Sequence, residues 1–166
     1  MNATAAALLG LLRDGPMSGG QLVAAAGQRF GAFFPVTRSQ VYRELPELAG
    51  AGLLALGEQG PRASQQYAIT AAGRRAFNAW LADGVGSDGL RSPLVLRLLH
   101  AGALTGRQRA ELVRTGRAAF AARLTEARAA GRAAQDEGDP YRKAVADFAL
   151  AHTRAMVKLL DSIPTE

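Results

Sequence analysis

Three times in this chain a Ser or Thr is followed three residues later by Gln: Ser18 to Gln21, Thr37 to Gln40 and Thr105 to Gln108. In each, the hydroxyl can accept from the backbone N–H of the Gln, while the Gln side chain reaches back to the N–H of the Ser or Thr. Two donors that a helix start leaves unpaired are then satisfied together. Helix starts are thereby predicted just after Ser18, Thr37 and Thr105, before any hydrophobic pattern is consulted.

Around these starts the rest of the chain falls into order. A first helix is predicted from about Ala3 to Arg13, with Leu8, Leu9, Leu11 and Leu12 as its apolar side and "DGP" as its stop. The second runs from about Gly19 to Arg29. The aromatic connector "FGAFFPV" leads into the third, and Pro35 helps to end that connector. After "GAG" the period shortens, and Leu53 to Leu56 and Gln66 to Ile69 are the candidate strands. Between them "GEQGPRAS" predicts a hairpin with a long, polar, basic tip. Thr70 then caps a fourth helix that continues to about Asp83 and includes Phe77, Trp80 and Leu81.

Residues 84–91, opening with "GVGSDG", read as a linker. The same letters spell G-x-G-x-x-G, but that dinucleotide fingerprint follows a strand, and here a helix precedes it. Everything beyond reads as helical: "SPLVLRLLHAGAL" with Pro93 near its start, a helix from Thr105 that could reach Gln135, the stop "DEGDP", and a last helix from Tyr141 to about Ser162.

Composition excludes several kinds of chemistry. With no cysteine the chain has no disulfide, thiolate zinc site or Cys nucleophile. No run of about 18 apolar residues and no basic leader occur, so neither a membrane span nor export is indicated and a cytoplasmic location is expected. His100 and His152 each stand at an apolar helical position without a ligand-spaced Cys, His or carboxylate, and read as packed or interface residues rather than as a base or metal ligands. No G-x-S-x-G surrounds a serine, and both lysines, Lys143 and Lys158, lie in the last helix, so there is no Walker lysine. "QDEGDP" reads as a solvated turn. Neither an enzyme, a metal nor a cofactor is expected.

Helix, helix, helix, hairpin, helix is the order of a winged helix-turn-helix, whose third helix enters the major groove of double-stranded DNA while the wing touches neighbouring phosphates. On that reading Thr37, Arg38, Ser39 and Gln40 occupy the cap and first turn of the reading helix, and Tyr42 and Arg43 the second, while Val41, Leu45 and Leu48 face the core. Arg62 and Gln65 belong to the wing. Residues 29–75 hold six Arg against three acids, a balance suited to phosphates. Pro46 lies inside the third helix, where it deletes the bond to the Tyr42 carbonyl at a cost of roughly 3 kcal/mol, so a kink or a shortened helix is expected.

In the second half, Val113, Phe120, Leu124, Ala127, Gly131 and Ala134 form one stripe, and Val145, Phe148, His152, Met156, Leu159 and Ile163 another. Neither long helix can bury its stripe alone, and a second copy of the chain is the simplest cover. The expected fold is mainly α: a winged helix-turn-helix with a two-stranded wing over residues 1–83, a linker over 84–91, and a helical dimerisation domain over 92–166.

In "LLGLLRDGPMSGGQL", "FFPVTRSQVYRELPELAGAGLL" and "GPRASQQYAITAAGRRAFNAWL" the chain resembles the PadR-type transcriptional regulators. "LRSPLVLRLLHAG" and "YRKAVADFALAHTRAMVKLLDSI" are similar to that family's helical C-terminal domain. The resemblance implies a homodimeric repressor on a pseudo-palindromic operator, dimerised by its C-terminal helices and released by a small aromatic or hydrophobic effector. By position, Ser39 and Tyr42 match family residues that face DNA, Arg43 follows the family's Tyr-Arg pair, and Arg62 with Pro61 matches the wing tip. Two departures stand out. Ser18 and Gly20 replace the His and Tyr of the family's second helix, and Met156 and Leu160 stand where drug-stacking members carry a late tryptophan. A winged-helix adaptor that no longer reads specific DNA is the alternative, favoured by Pro46 and the missing tyrosine.

Overall fold

A computed structural model describes residues 1–31, 33–60, 64–84 and 92–165. The chain divides into two compact units, Met1–Asp88 and Gly89–Glu166.

The first unit is built around α1 (Ala3–Leu11), whose cap Asn2 accepts from the Ala5 N–H at 2.8 Å. Ala5, Ala6, Leu8, Leu9 and Leu11 are all buried, so this helix is apolar on several sides and forms the centre of the unit. A 3-10 turn over Leu12–Asp14 leads to β1 (Met17–Ser18), α2 (Gly19–Phe30) and α3 (Arg38–Gly50). The arms of the wing are β2 (Leu54–Gly60) and β3 (Ser64–Ile69), and α4 (Ala71–Ala82) closes the unit. Leu22 and Ala26 of α2, Val41, Leu45 and Leu48 of α3, and Phe77 of α4 pack around the leucines of α1. Each fully buried leucine stabilises this core by roughly 1.5–3 kcal/mol.

Both capping boxes of this unit form, at Ser18 with Gln21 and at Thr37 with Gln40. Pro46 does not shorten α3, which continues to Gly50. Leu45 and Leu48, buried on either side of the proline, hold the last turn in the core and outweigh one absent hydrogen bond. The helix then ends in a Schellman turn. Gly52 takes φ +70°, its N–H reaches the Ala49 carbonyl, and the Leu53 N–H reaches the Leu48 carbonyl, both at 2.9 Å.

The sheet is antiparallel in the order β1-β3-β2, so a third strand joins the two predicted for the wing. β1 pairs only Met17 with Tyr67 and Ser18 with Gln66, too short a run to show alternation. The wing arms also extend further than their apolar residues suggested. β2 continues through Gly60 and β3 starts at Ser64, and the remainder of the predicted tip, residues 61–63, lies outside the described residues. Leu56 faces Tyr67 and Gln59 faces Gln65, which leaves one extra residue on β2 and makes a bulge.

The second unit contains α5 (Pro93–Leu99), capped by Ser92, and two long helices, α6 (Gly106–Asp136) and α7 (Pro140–Asp161). Thr105 and Gln108 form the capping box of α6. Asp139 caps α7, and Gly138 at φ +69° makes the turn between the two. They pack through Val113, Gly116, Phe120, Ala127 and Ala134 on one side and Ala149, Thr153, Met156 and Leu160 on the other. Gly116 allows the close approach, because a Cβ there would lie 2.9 Å from Leu160 Cδ2. The buried Thr153 hydroxyl donates to the Ala149 carbonyl at 2.8 Å, so this polar group is not stranded in the seam.

The seam of α7 is thus rotated from the predicted stripe. Val113, Phe120 and Met156, expected between subunits, are already buried within one chain. Leu124, His152 and Leu159 are half-buried, whereas Val145 and Phe148 are 44% and 57% exposed. Among the described residues no helix is long and apolar enough to cross a membrane.

Candidate nucleic-acid interface

The front of α3 is locked by its cap. The Thr37 hydroxyl accepts from the Gln40 N–H at 3.3 Å, and Gln40 Oε1 accepts from the Thr37 N–H at 2.8 Å and from the Thr37 hydroxyl at 3.0 Å. Ser39 Oγ lies 3.1 Å from Thr37 Oγ1. Thr37, Arg38 and Ser39 are exposed. Gln40 has its oxygen turned into the cap, as its capping box predicts, so its Nε2 donors are what it presents.

One turn further on, the Arg38 guanidinium stands 5.2 Å from the centroid of the Tyr42 ring, a cation–π pair at the i,i+4 spacing of a helix face. The ring is 46% exposed and beds on Gly19 at the start of α2, where a Cβ would lie 2.9 Å from Tyr42 Cζ. Tyr42 therefore spans two helices and carries Arg38 on its outer side. No acid pairs with Arg38 among the described residues. Arg43 differs, since its Nη2 lies 3.3 Å from Glu44 Oε1 while its side chain is 64% exposed.

Gln65 Nε2 donates to the Gly57 carbonyl at 2.9 Å and to the Gln66 carbonyl at 2.8 Å. Its amide braces the bulge of the wing rather than projecting outward. Arg62 lies outside the described residues. The structure thus brings Thr37, Arg38, Ser39, Gln40, Tyr42 and Arg43 together at one end of α3.

Three residues were missed from sequence: Asn2, Gly19 and Glu44. Glu44 had a readable signal, an acid one turn from Val41 on the side of α3 that faces the core. Gly19 had none, because its role depends on a ring that arrives from another helix.

Replacing Gly19 by Ala is expected to leave the unit folded and push the Tyr42 ring aside, since a half-exposed side chain can yield where backbone cannot. Loss of an exposed cation–π pair, about 0.5–1 kcal/mol, should weaken duplex binding about two- to five-fold. Tyr42 ring resonances in an NMR spectrum check this, and unchanged shifts would mean that the phenol does not rest on Gly19.

Three helices, a wing and a closing helix, with an exposed, capped and cationic start to the third helix, define a winged helix-turn-helix module over Ala3–Ala82. Residues 8–79 match the transcriptional regulator PadR-like family. The negative transcriptional regulator PadR of Bacillus subtilis (strain 168) is 32% identical over 78 residues, which span 45% of this chain and 43% of that protein. Among solved structures, smu.1604c from Streptococcus mutans UA159 superposes with a TM-score of 0.84 at 20% identity, covering 97% of each chain. Bacillus subtilis PadR in complex with operator DNA gives 0.74 at 22% identity, over 98% of this chain and 97% of that one. The same protein in complex with p-coumaric acid gives 0.65 at 20% identity, over 98% and 96%. The fold extends over both units, and the matched relatives are regulators rather than enzymes.

Proposed function

We propose that this protein is a dimeric, sequence-specific DNA-binding transcriptional regulator that acts as a repressor. Residues 1–83 bind the operator, 84–91 link, and 92–166 join two copies. The observation that carries this reading is the front of α3, where Arg38, without an acid partner among the described residues, is held on Tyr42 beside a locked, exposed first turn. A guanidinium so placed can fork onto guanine O6 and N7 or onto a phosphate. The Bacillus subtilis relative in complex with operator DNA supports the same partner here.

A second copy fits the exposed Val145 and Phe148, and the dimer's twofold axis then calls for a pseudo-palindromic operator. Release by a small aromatic or hydrophobic molecule belongs to this reading, on the strength of the relative bound to p-coumaric acid. The place of action is the cytoplasm, with the DNA. The adaptor alternative loses the support of Pro46, because α3 runs on to Gly50. What remains in its favour is Gly20.

The test is Arg38→Ala, measured by fluorescence anisotropy on the promoter region of the protein's own gene at fixed salt. Operator affinity should fall by about 1–3 kcal/mol, with discrimination relaxed at the base pairs under Arg38. An affinity indifferent to this substitution at every salt concentration would remove the proposed contact.

A further inference from the structure

A buried carboxylate lies at the edge of the reading helix, and DNA binding as described gives it no role. Glu44 is 3% exposed, on the side of α3 that carries Val41, Leu45 and Leu48. A charge in such a place is costly unless it is paired. Asn2 Nδ2 donates to both of its oxygens, at 3.2 and 3.1 Å, and Arg43 Nη2 reaches Oε1 at 3.3 Å. Asn2 is neutral, and its own oxygen is engaged in capping α1. Among the described residues the positive charge opposite Glu44 therefore comes from Arg43. Consecutive helical residues point about 100° apart, so the pair closes only because the long Arg43 side chain folds back across the helix.

On the DNA-binding reading Arg43, paired with Glu44 on one side and 64% exposed, would stand between two anions, this carboxylate and a backbone phosphate. We propose that Glu44 is a specificity-determining residue, an internal competitor that holds Arg43 back from phosphates wherever a duplex does not fit α3 closely. The proposal rests on the DNA-binding reading above. Removing Arg43 from Glu44 leaves a buried charge held by one neutral amide, a penalty that a loose, sequence-independent complex does not offset. Glu44→Gln abolishes the competition while preserving size, and it leaves Asn2 an oxygen to donate to. If Glu44 served only the fold, replacing it would weaken DNA binding. An internal competitor, once removed, strengthens it.

The experiment titrates the full chain against a duplex of arbitrary sequence over a potassium chloride series, with unfolding curves on the same samples. Glu44→Gln should bind about five- to ten-fold tighter near 0.1 M salt and steepen the salt slope by about 0.9, the share of one added phosphate contact. The double variant Glu44→Gln, Arg43→Ala should return to the wild-type slope. Glu44→Met, neutral and of similar volume, should give the same steeper slope and serves where Gln compromises folding. Equal slopes in the wild type and both neutral variants, or a gain that survives loss of Arg43, would overturn the competitor role and leave the DNA reading standing. A wild-type protein that ignores the duplex at low salt would instead remove the DNA reading, and this proposal with it.

Discussion

Gly73→Ala is expected to unfold the winged-helix unit or bring it close to unfolding. A Cβ at this position would lie 2.2 Å from the Leu53 carbonyl oxygen and 2.9 Å from Ile69 Cγ1. That oxygen cannot retreat freely, because it accepts from the Thr70 N–H and from the Thr70 hydroxyl, both at 3.1 Å. The same hydroxyl accepts from the Gly73 N–H at 3.0 Å and so caps α4. One methyl group therefore collides with the joint that ties the base of the wing to the closing helix. Overpacking usually costs 1–3 kcal/mol, and against hydrogen-bonded backbone about 3 kcal/mol or more is expected, a large share of the stability of a small unit. Urea unfolding followed by circular dichroism measures it. Gly20→Ala is the control, since a Cβ there meets nothing within 4 Å and Ala is the better helix former. A Gly73→Ala protein that unfolds with the wild-type midpoint would show that this joint is not as tight as described.

The double substitution Val145→Asp, Phe148→Asp should separate assembly from folding. Both side chains are well exposed in one chain, so the α6–α7 pair should keep its helicity. Placing two carboxylates on a face proposed to meet its own copy sets like charges against each other in an apolar contact. Sedimentation should then report a monomer. Operator affinity should fall by about 10²–10⁴, because a monomer loses the effective concentration that links the two half-sites. Met156→Asp offers a contrast, for its side chain is buried in the seam and its replacement should unfold the second unit. A dimer that survives the double substitution would place the subunit contact elsewhere.

Helix starts were the most legible part of the sequence, because a capping box is local chemistry complete within four residues. The boxes at Ser18, Thr37 and Thr105 and the cap at Thr70 mark the starts of α2, α3, α6 and α4. Strand β1 was invisible for the opposite reason: two residues carry no period, and its partner Tyr67 is some 50 residues away in the chain. The outer wing arms were missed because Gly57 to Gly60 and Ser64 to Gln65 carry no apolar alternation. On α7, large side chains drew attention to Val145 and Phe148, whereas the contact with α6 uses Ala149 and Thr153, small residues that matter through closeness rather than hydrophobic area. At the candidate site, residue types near Thr37 could be read from sequence, but their engagement could not. Gln65 bracing the bulge and Glu44 holding Arg43 are facts of three-dimensional neighbourhood.

The cap of α3 also bears on which letters this helix can favour. A glutamine recognises adenine through both ends of its carboxamide, the oxygen taking a proton from N6 and the nitrogen giving one to N7. With the Gln40 oxygen claimed by Thr37, one half of that recognition is missing. Sequence preference beneath this turn should accordingly lean on guanine opposite Arg38, and adenines there should be tolerated rather than selected.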